Sequence, residues 1–328
     1  MKNTFSQANF ITKLSNCKSK TRCITMNRRD FLKTGFLGVL AASSLGQTLS
    51  AAQHNAAKQH PDLVALHGST PEDMWARGIK AIGGMERFVK KGAKVVVKPN
   101  IAWSQAPEYA ANTNPALVAA IVRDALAAGA AEVVVFDHSC DNGADCYRIS
   151  GIAEAASAAG AKVLHATQRN TYRKVSANGA KVMREAEVFS AVLDCDTFIN
   201  VPVLKHHGGA RMSGAMKNLM GMVWDRRLMH RAGLKDTIPD LLSFRKPDLN
   251  VVDAYRMIMT KGPRCVDLRN VALGKFMLLS PDPVAVDTAA VKLLRFKEEE
   301  VRYLQEAAAR KLGENDLAKL KIERIVIK

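Results

Sequence analysis

Four apolar runs in this chain end in residues able to do chemistry. Val95–Val97 leads into Lys98, Pro99 and Asn100; Val133–Phe136 leads into Asp137 and His138. A third run carries Asn200 and reaches Lys205, His206 and His207, and a fourth ends at Asp253. Ammonium and amide groups hold a phosphate or carboxylate, whereas a carboxylate beside an imidazole moves a proton or ligates a metal. In open parallel sheets ligands bind in the crevice beyond the carboxyl ends of the strands. Lys98, Asn100, Asp137, Asn200 and Lys205 are therefore candidate ligand-binding residues on one sheet edge with Asp253. The competing reading is that loops are polar anyway.

Further along, Lys217 and Asn218 lie between Gly214 and Gly221, a small-residue segment that lets a bound phosphate or carboxylate approach the backbone. His138, His206 and His207 are candidate metal ligands. His206 and His207 are adjacent and diverge, so at most one joins His138 or Asp137, and their spacing matches no zincin motif. Met212, Met216 and Met220 recur at helical spacing, which fits a copper-binding array but fits core filling better. Asp282 reads as a helix cap, with Asp287 pointing inward. The charged segment Asp225, Arg226, Arg227, His230 and Arg231 either guards the crevice or is a solvated face.

These residues need elements to position them. Predicted strands cover 94–98, 132–136, 162–164, 196–201, 249–252 and 275–279. Predicted helices start at Asn114-Pro115 and at Ile152, and cover 283–294 and 298–312. Strands separated by helical segments imply crossover connections, hence an α/β fold with a mainly parallel sheet flanked by helices on both faces.

The amino terminus reads differently. Asn27-Arg28-Arg29-Asp30-Phe31-Leu32-Lys33 precedes an apolar stretch from Phe36 to Leu45 and small residues at Ser50-Ala51-Ala52. Basic region, short apolar region and small-residue cleavage site make up a twin-arginine export signal, with Arg28 and Arg29 as its recognition pair. The stretch falls short of the ~20 apolar residues of a membrane span. Met26 is an alternative start. The chain thus divides into a signal over 1–52, a linker or short leading strand over 53–70, the α/β domain over 71–296, and a closing helix and strand over 297–328. A periplasmic or otherwise exported location follows, with the twin-arginine translocase as partner and no stable span after cleavage.

The 328 residues carry 48 basic and 31 acidic side chains, a formal charge of +17, and the chain after the signal keeps 40 against 30. These charges are scattered and no helix-turn-helix, zinc-finger or RNA-recognition signature accompanies them, which argues against nucleic acid and for an anionic small molecule or anionic surface. Cys140, Cys146, Cys195 and Cys265 remain after the signal. In an oxidising compartment they are open to three readings: disulfides, iron–sulfur ligands or free thiols.

Five ordered motifs resemble one family. They are Val97-Lys98-Pro99-Asn100, Thr113-Asn114-Pro115, Asn200-Val201-Pro202-Val203-Leu204-Lys205-His206-His207, Ser213-Gly214-Ala215-Met216-Lys217-Asn218-Leu219-Met220-Gly221 and Asp282-Pro283-Val284-Ala285-Val286-Asp287. Together they resemble the bacterial and archaeal domain of unknown function 362, and the resemblance covers about residues 62–296. The family often has Lys-Thr-His at Lys205-His206-His207, and many members add a ferredoxin-type cluster segment that this chain lacks. The resemblance adds Asp287 to the candidate ligand-binding residues. It implies a redox- or metal-associated protein, with a metal or iron–sulfur cluster as cofactor and a redox partner. Two function classes stay open: an exported enzyme or redox accessory, and a non-catalytic periplasmic binding protein for an anionic small molecule. Kinship with lactate-racemase-type nickel enzymes is a third thought for which no motif speaks. The signal yields a first test. Replacing both Arg28 and Arg29 by Lys traps the precursor in the cytoplasm, because a receptor reads the arginine pair and not bulk charge. Fractionation with an antibody checks it, and normal processing of the double variant refutes it.

Overall fold

A computed structural model describes residues 60–328, and the signal assigned to 1–52 lies outside the described residues. In chain order the elements are β1 (Leu63–His67), α1 (Pro71–Ala81), β2 (Lys94–Pro99), α2 (Pro115–Ala127), β3 (Glu132–Asp137), α3 (Gly143–Ile149), α4 (Ile152–Ala158) and β4 (Lys162–His165). A hairpin of β5 (Tyr172–Ser176) and β6 (Glu185–Phe189) follows, then α5 (Ser190–Asp194), β7 (Thr197–Val201), β8 (Val203–His207), β9 (Arg211–Ser213) and α6 (Ala215–Asn218). The chain closes with α7 (Arg226–Ala232), α8 (Leu234–Asp240), β10 (Leu249–Ile258), β11 (Val271–Ser280), α9 (Pro283–Leu293), α10 (Arg302–Ala309) and β12 (Ile322–Val326).

The main sheet has ten strands, in the order β12-β1-β11-β10-β7-β2-β3-β4, with β8 beside β10 and β9 beside β8. Strands β10, β7, β2, β3 and β4 pair in parallel, whereas β11 runs antiparallel to both β1 and β10. This is an α/β fold, mostly parallel, with helices around the sheet. Alternation along the strands explains the layers. Val95, Val97, Val133, Val135, Ile199 and Val251 join Trp75, Ile79, Leu117 and Ile121 of α1 and α2 in one core. The intervening residues Lys98, Asn200 and Asn250 are buried and contribute polar groups instead.

Local chemistry starts the helices as the sequence leads one to expect. Asn114 Oδ1 accepts from Ala116 N with Pro115 in the first turn, and Asp282 Oδ1 accepts from Val284 and Ala285 N. Gly129, at φ +99°, ends the segment after α2 in a conformation that favours glycine.

Several expectations need correction. The fourth run does not end at Asp253: β10 continues to Ile258 because Ala254–Ile258 still pair with β8 and β11. The predicted helix 298–312 is a 3₁₀ turn at Glu298–Glu300 followed by α10. Met212, Met216 and Met220 share no helix; they lie in β9, in α6 and in the turn after it. All three are buried, which is core filling. The segment 53–70 does hold a strand, β1. Beyond the strand predicted to end at Val201, Val203–His207 form a further strand, β8, after the single residue Pro202.

One acid anchors the far end of the domain. Asp240 is fully buried, accepts from the Lys181, Val182 and Met183 N–H groups, and pairs with Arg310 at 2.8 Å. Asp240→Ala leaves one buried and two partly buried N–H donors and a guanidinium without their acceptor, and is expected to cost about 3 kcal/mol. Arg310→Met should cost less, since the backbone donors keep the carboxylate. Urea unfolding of the two variants checks the order.

Candidate functional site

Strand ends and the segment after β9 enclose one cavity of about 940 Å³. Its floor begins with a buried ion pair: Lys98 Nζ lies 2.7 Å from Asp137 Oδ1, with side chains 0% and 2% exposed. Asp137 Oδ2 accepts from Ile101 N at 2.7 Å, and Oδ1 also accepts from His138 N at 2.9 Å. The Tyr147 hydroxyl accepts from Asp137 N and lies within 2.8–2.9 Å of the Asp137 and Leu164 carbonyls, which fixes the end of β3. Burial lowers the Lys98 amine below the ordinary lysine range, and Asp137 offsets part of that shift. A Cβ on Gly221 would overlap Asp137 Oδ1 and crowd Lys98 Nζ, so the backbone must be bare there.

A ladder of amides holds α6 over these strands. Asn218 Nδ2 donates to Asn200 Oδ1 at 2.8 Å and to the Lys98 carbonyl. Asn200 Nδ2 donates to Asn250 Oδ1 and to the Ala215 carbonyl, both at 2.9 Å. The Asp287 carboxylate accepts from Ala215 and Met216 N, where a Cβ on Gly214 would overlap it. Burial pushes the Asp287 carboxyl up to about 7 against those two donors. Asn218 Oδ1 is buried without a donor among the described residues, a desolvation cost that a ligand donor would relieve.

Lys205 and Lys217 face the cavity in different states. Lys205 Nζ donates to Asn100 Oδ1 at 2.7 Å and to the Ala111 carbonyl, and burial brings its amine down to about 7. Lys217 is half-buried and has no hydrogen-bond or ion-pair partner among the described residues. Burial and the nearby Arg226 bring it to about 8. Arg226 donates to the His138 and Ser139 carbonyls at 2.6 Å and lies 3.4 Å from Cys140 Sγ. The wall adds Trp103 and Trp224, the latter stacked on the His138 ring at 5.2 Å.

Of the candidates, Asn100, Asp137, Lys205, Lys217 and Asn218 line the cavity, as do His138 and His207. Lys98 lies behind Asp137 and Gly221. Asn200 and Asp287 belong to the support of α6 and do not line the cavity. Asp253 is elsewhere: its carboxylate accepts from Asn114 and Tyr255 N in a separate recess.

The three histidines share no centre. His206 Nδ1 accepts from Gly262 N, and its ring packs edge-on to Phe296. His207 Nδ1 accepts from Gly209 and Ala210 N, and burial brings the imidazole down to about 2. Among the described residues no three His, Cys, Asp or Glu side chains are grouped to hold a metal ion, so this donor set does not fit a metal or an iron–sulfur cluster. All four cysteines of the described residues are free thiols, and Cys140 lines the cavity.

Arg226 carries more of the site than a solvated face would, and Trp103 and Trp224 were not legible at all. Both stand close to motif residues, Trp103 after Asn100 and Trp224 after Gly221, but no spacing distinguishes a lining aromatic from a core one.

Residues 95–292, more than half of the chain, match the family model described as "Domain of unknown function (DUF362)", and the chain belongs to that family. A thylakoid-associated protein of Synechocystis sp. is 26% identical over 254 residues, covering 73% of this chain and 74% of that one. Among solved structures, the lactate racemase apoprotein of Thermoanaerobacterium thermosaccharolyticum has a TM-score of 0.44 at 10% identity, covering 70% of this chain and 56% of its own. A Thermotoga maritima protein gives 0.35 at 10% identity, covering 73% and 58%. The chain spans somewhat over half the length of each solved structure.

The ion pair at the floor generates a test. Asp137→Ala leaves the Lys98 amine buried against little but the Pro99 carbonyl, at an expected cost of about 3–5 kcal/mol. Adding Lys98→Met should recover part of that loss. A double-mutant cycle in urea measures the recovery, and strict additivity contradicts a coupled pair.

Proposed function

We propose that this protein binds a small anion, carrying phosphate or carboxylate groups, in the strand-end cavity, and that it does so after export by the twin-arginine pathway. One observation carries the reading. Every acid lining the cavity is already matched by a cation: Asp137 by Lys98, Glu187 by Arg169 and Asp225 by Arg231. Lys205, Lys217, Arg226 and Arg227 line the same cavity with no carboxylate partner among the described residues. Such an excess of positive charge in a walled, partly dry space is stabilised by an incoming anion.

A catalytic role is the second reading, and the amines favour it. Lys205 at about 7 and Lys217 at about 8 exchange protons near neutrality, as a general acid or base requires. The non-catalytic alternative is a binding protein that uses the same cations for capture alone. Family membership supports a redox- or metal-associated accessory; any metal would have to come with the ligand, given the donor set. No helix among the described residues is long and apolar enough to cross a membrane. The thylakoid-associated name of the relative is consistent with work close to a membrane system.

The pH dependence separates this site from a structural one. Lys205 drops from its ordinary 10.5 to about 7 on folding. Between those values the unfolded chain holds a proton that the folded amine has released, so this group makes the empty protein more stable as pH rises through that window. Anion binding needs the protonated amines, so affinity falls over about pH 7–8. Thermal unfolding with and without inorganic phosphate should therefore show a phosphate-induced rise in Tm that fades with increasing pH. Lys217→Ala should abolish that rise and melt no lower than wild type, since only repulsion is removed. Lys205→Ala should melt lower, because Asn100 and Ala111 lose their donor. If phosphate, sulfate and citrate shift neither wild type nor variants at any pH, the anion site is refuted.

A further inference from the structure

The connection between β10 and β11 presents a surface that the cavity does not use. Six large apolar side chains are exposed among the described residues, and three of them, Val266, Leu268 and Leu273, belong to this hairpin. Val266 is 75% exposed and Leu273 57%. Single exposed apolar residues are ordinary, but three on one hairpin, Val266 and Leu268 in its connection and Leu273 on β11, mark an interaction site. The loop is held rigid while it presents them. Gln105 exchanges hydrogen bonds with the Cys265 backbone in both directions, Cys265 is buried, and Thr260 Oγ1 donates to Asn270 Oδ1 at 2.8 Å across the base.

Charge decides what the surface fits. Lys261, Arg264 and Arg269 are exposed on the same hairpin; Arg269 is paired with Asp267, the single acid of residues 259–270, and Arg264 lies 3.8 Å from Asp141, so the group keeps a net positive charge through Lys261. A second copy of the chain would bring these like charges together. An anionic lipid surface offers the complement: an apolar interior for the tips and phosphates for the cations, whose long stems reach back to the headgroups.

We propose that the β10–β11 hairpin docks on an anionic lipid surface, with Val266, Leu268 and Leu273 entering the interface and Lys261, Arg264 and Arg269 engaging the headgroup phosphates. Pro263, in the same loop, lines the cavity, so docking places the cavity rim beside the membrane. The docking is independent of whether the cavity binds an anion.

Co-sedimentation of the full chain with phosphatidylcholine vesicles, and with vesicles containing phosphatidylglycerol, tests it. Wild type should pellet with the anionic vesicles only, and less at high salt. Replacing Val266, Leu268 and Leu273 together by Ser should weaken that partition roughly tenfold while leaving thermal unfolding unchanged. Arg264→Gln with Arg269→Gln should also weaken it and flatten the salt dependence. All variants carry the same amino-terminal segment, so its own membrane affinity cancels in the comparison. Equal pelleting of wild type and both variants overturns the proposal. So does failure of wild type to pellet, equal binding to neutral vesicles, or a self-association that the serine variant abolishes. Should the triple variant misfold, Val266→Glu alone reads the same partition.

Discussion

The Lys98–Asp137 pair is the constraint on which the candidate site rests. Two full charges are removed from water at the ends of adjacent parallel strands, and the attraction between them repays that only with good geometry and further hydrogen bonds. Those bonds are present: Ile101 and His138 donate to the carboxylate, and Tyr147 clamps the backbone of β3 at the same residue. Gly221 is then forced to be glycine, because any side chain there would enter the pair. The ion pair therefore dictates how closely the segment after α6 approaches the sheet. That approach sets the depth of the cavity.

A second polar layer fixes where Lys217 stands. Asn250, Asn200 and Asn218 form a continuous run of amide–amide hydrogen bonds from β10 through β7 to α6, while Asp287 of α9 holds the first N–H groups of α6. A four-residue helix has little stability of its own. Here its orientation is imposed by partners on three other elements, and Lys217 inherits that precision. Asn200 and Asp287 are thus positioning residues: they act on a ligand only through the helix that they hold.

Much of this architecture was legible in the sequence, for identifiable reasons. Val95–Val97 and Val133–Val135 announce buried parallel strands, and Asn114-Pro115 and Asp282-Pro283 announce helix starts by local chemistry alone. The convergence of Asn100, Asp137, Lys205 and Lys217 followed from the strand-end rule together with the family motifs. Asp253 misled, because a polar residue inside a buried strand looks like a strand end when its partners, the N–H groups of Asn114 and Tyr255, are invisible. The methionines misled for the opposite reason: a spacing that suits a helix also arises when β9, a short helix and a turn fold over one core. Arg226 stood in a charged segment with two readings, and the hydrogen bonds that bring it to the end of β3 decide between them; the two tryptophans lie in loops next to motif residues, but an aromatic in a loop carries no periodic signal.

Lys205 and Lys217 show how one cavity assigns different tasks to the same residue type. Lys205 is tethered by Asn100 and the Ala111 carbonyl, so its amine is fixed in place whether or not a ligand arrives. Lys217 has no such tether and is repelled by Arg226. Fixed donors supply orientation at no entropic cost on binding, whereas an untethered ammonium gains most when an anion relieves its repulsion. An incoming phosphate or carboxylate would raise both amines toward their ordinary range and take up a proton as it binds, wherever pH lies near 7 or above. On the proposed reading, proton uptake accompanies anion capture, from the same electrostatics that keep the empty site short of negative charge. A site built this way discriminates by charge state before it discriminates by shape, since a neutral analogue of the same size would leave the repulsion in place.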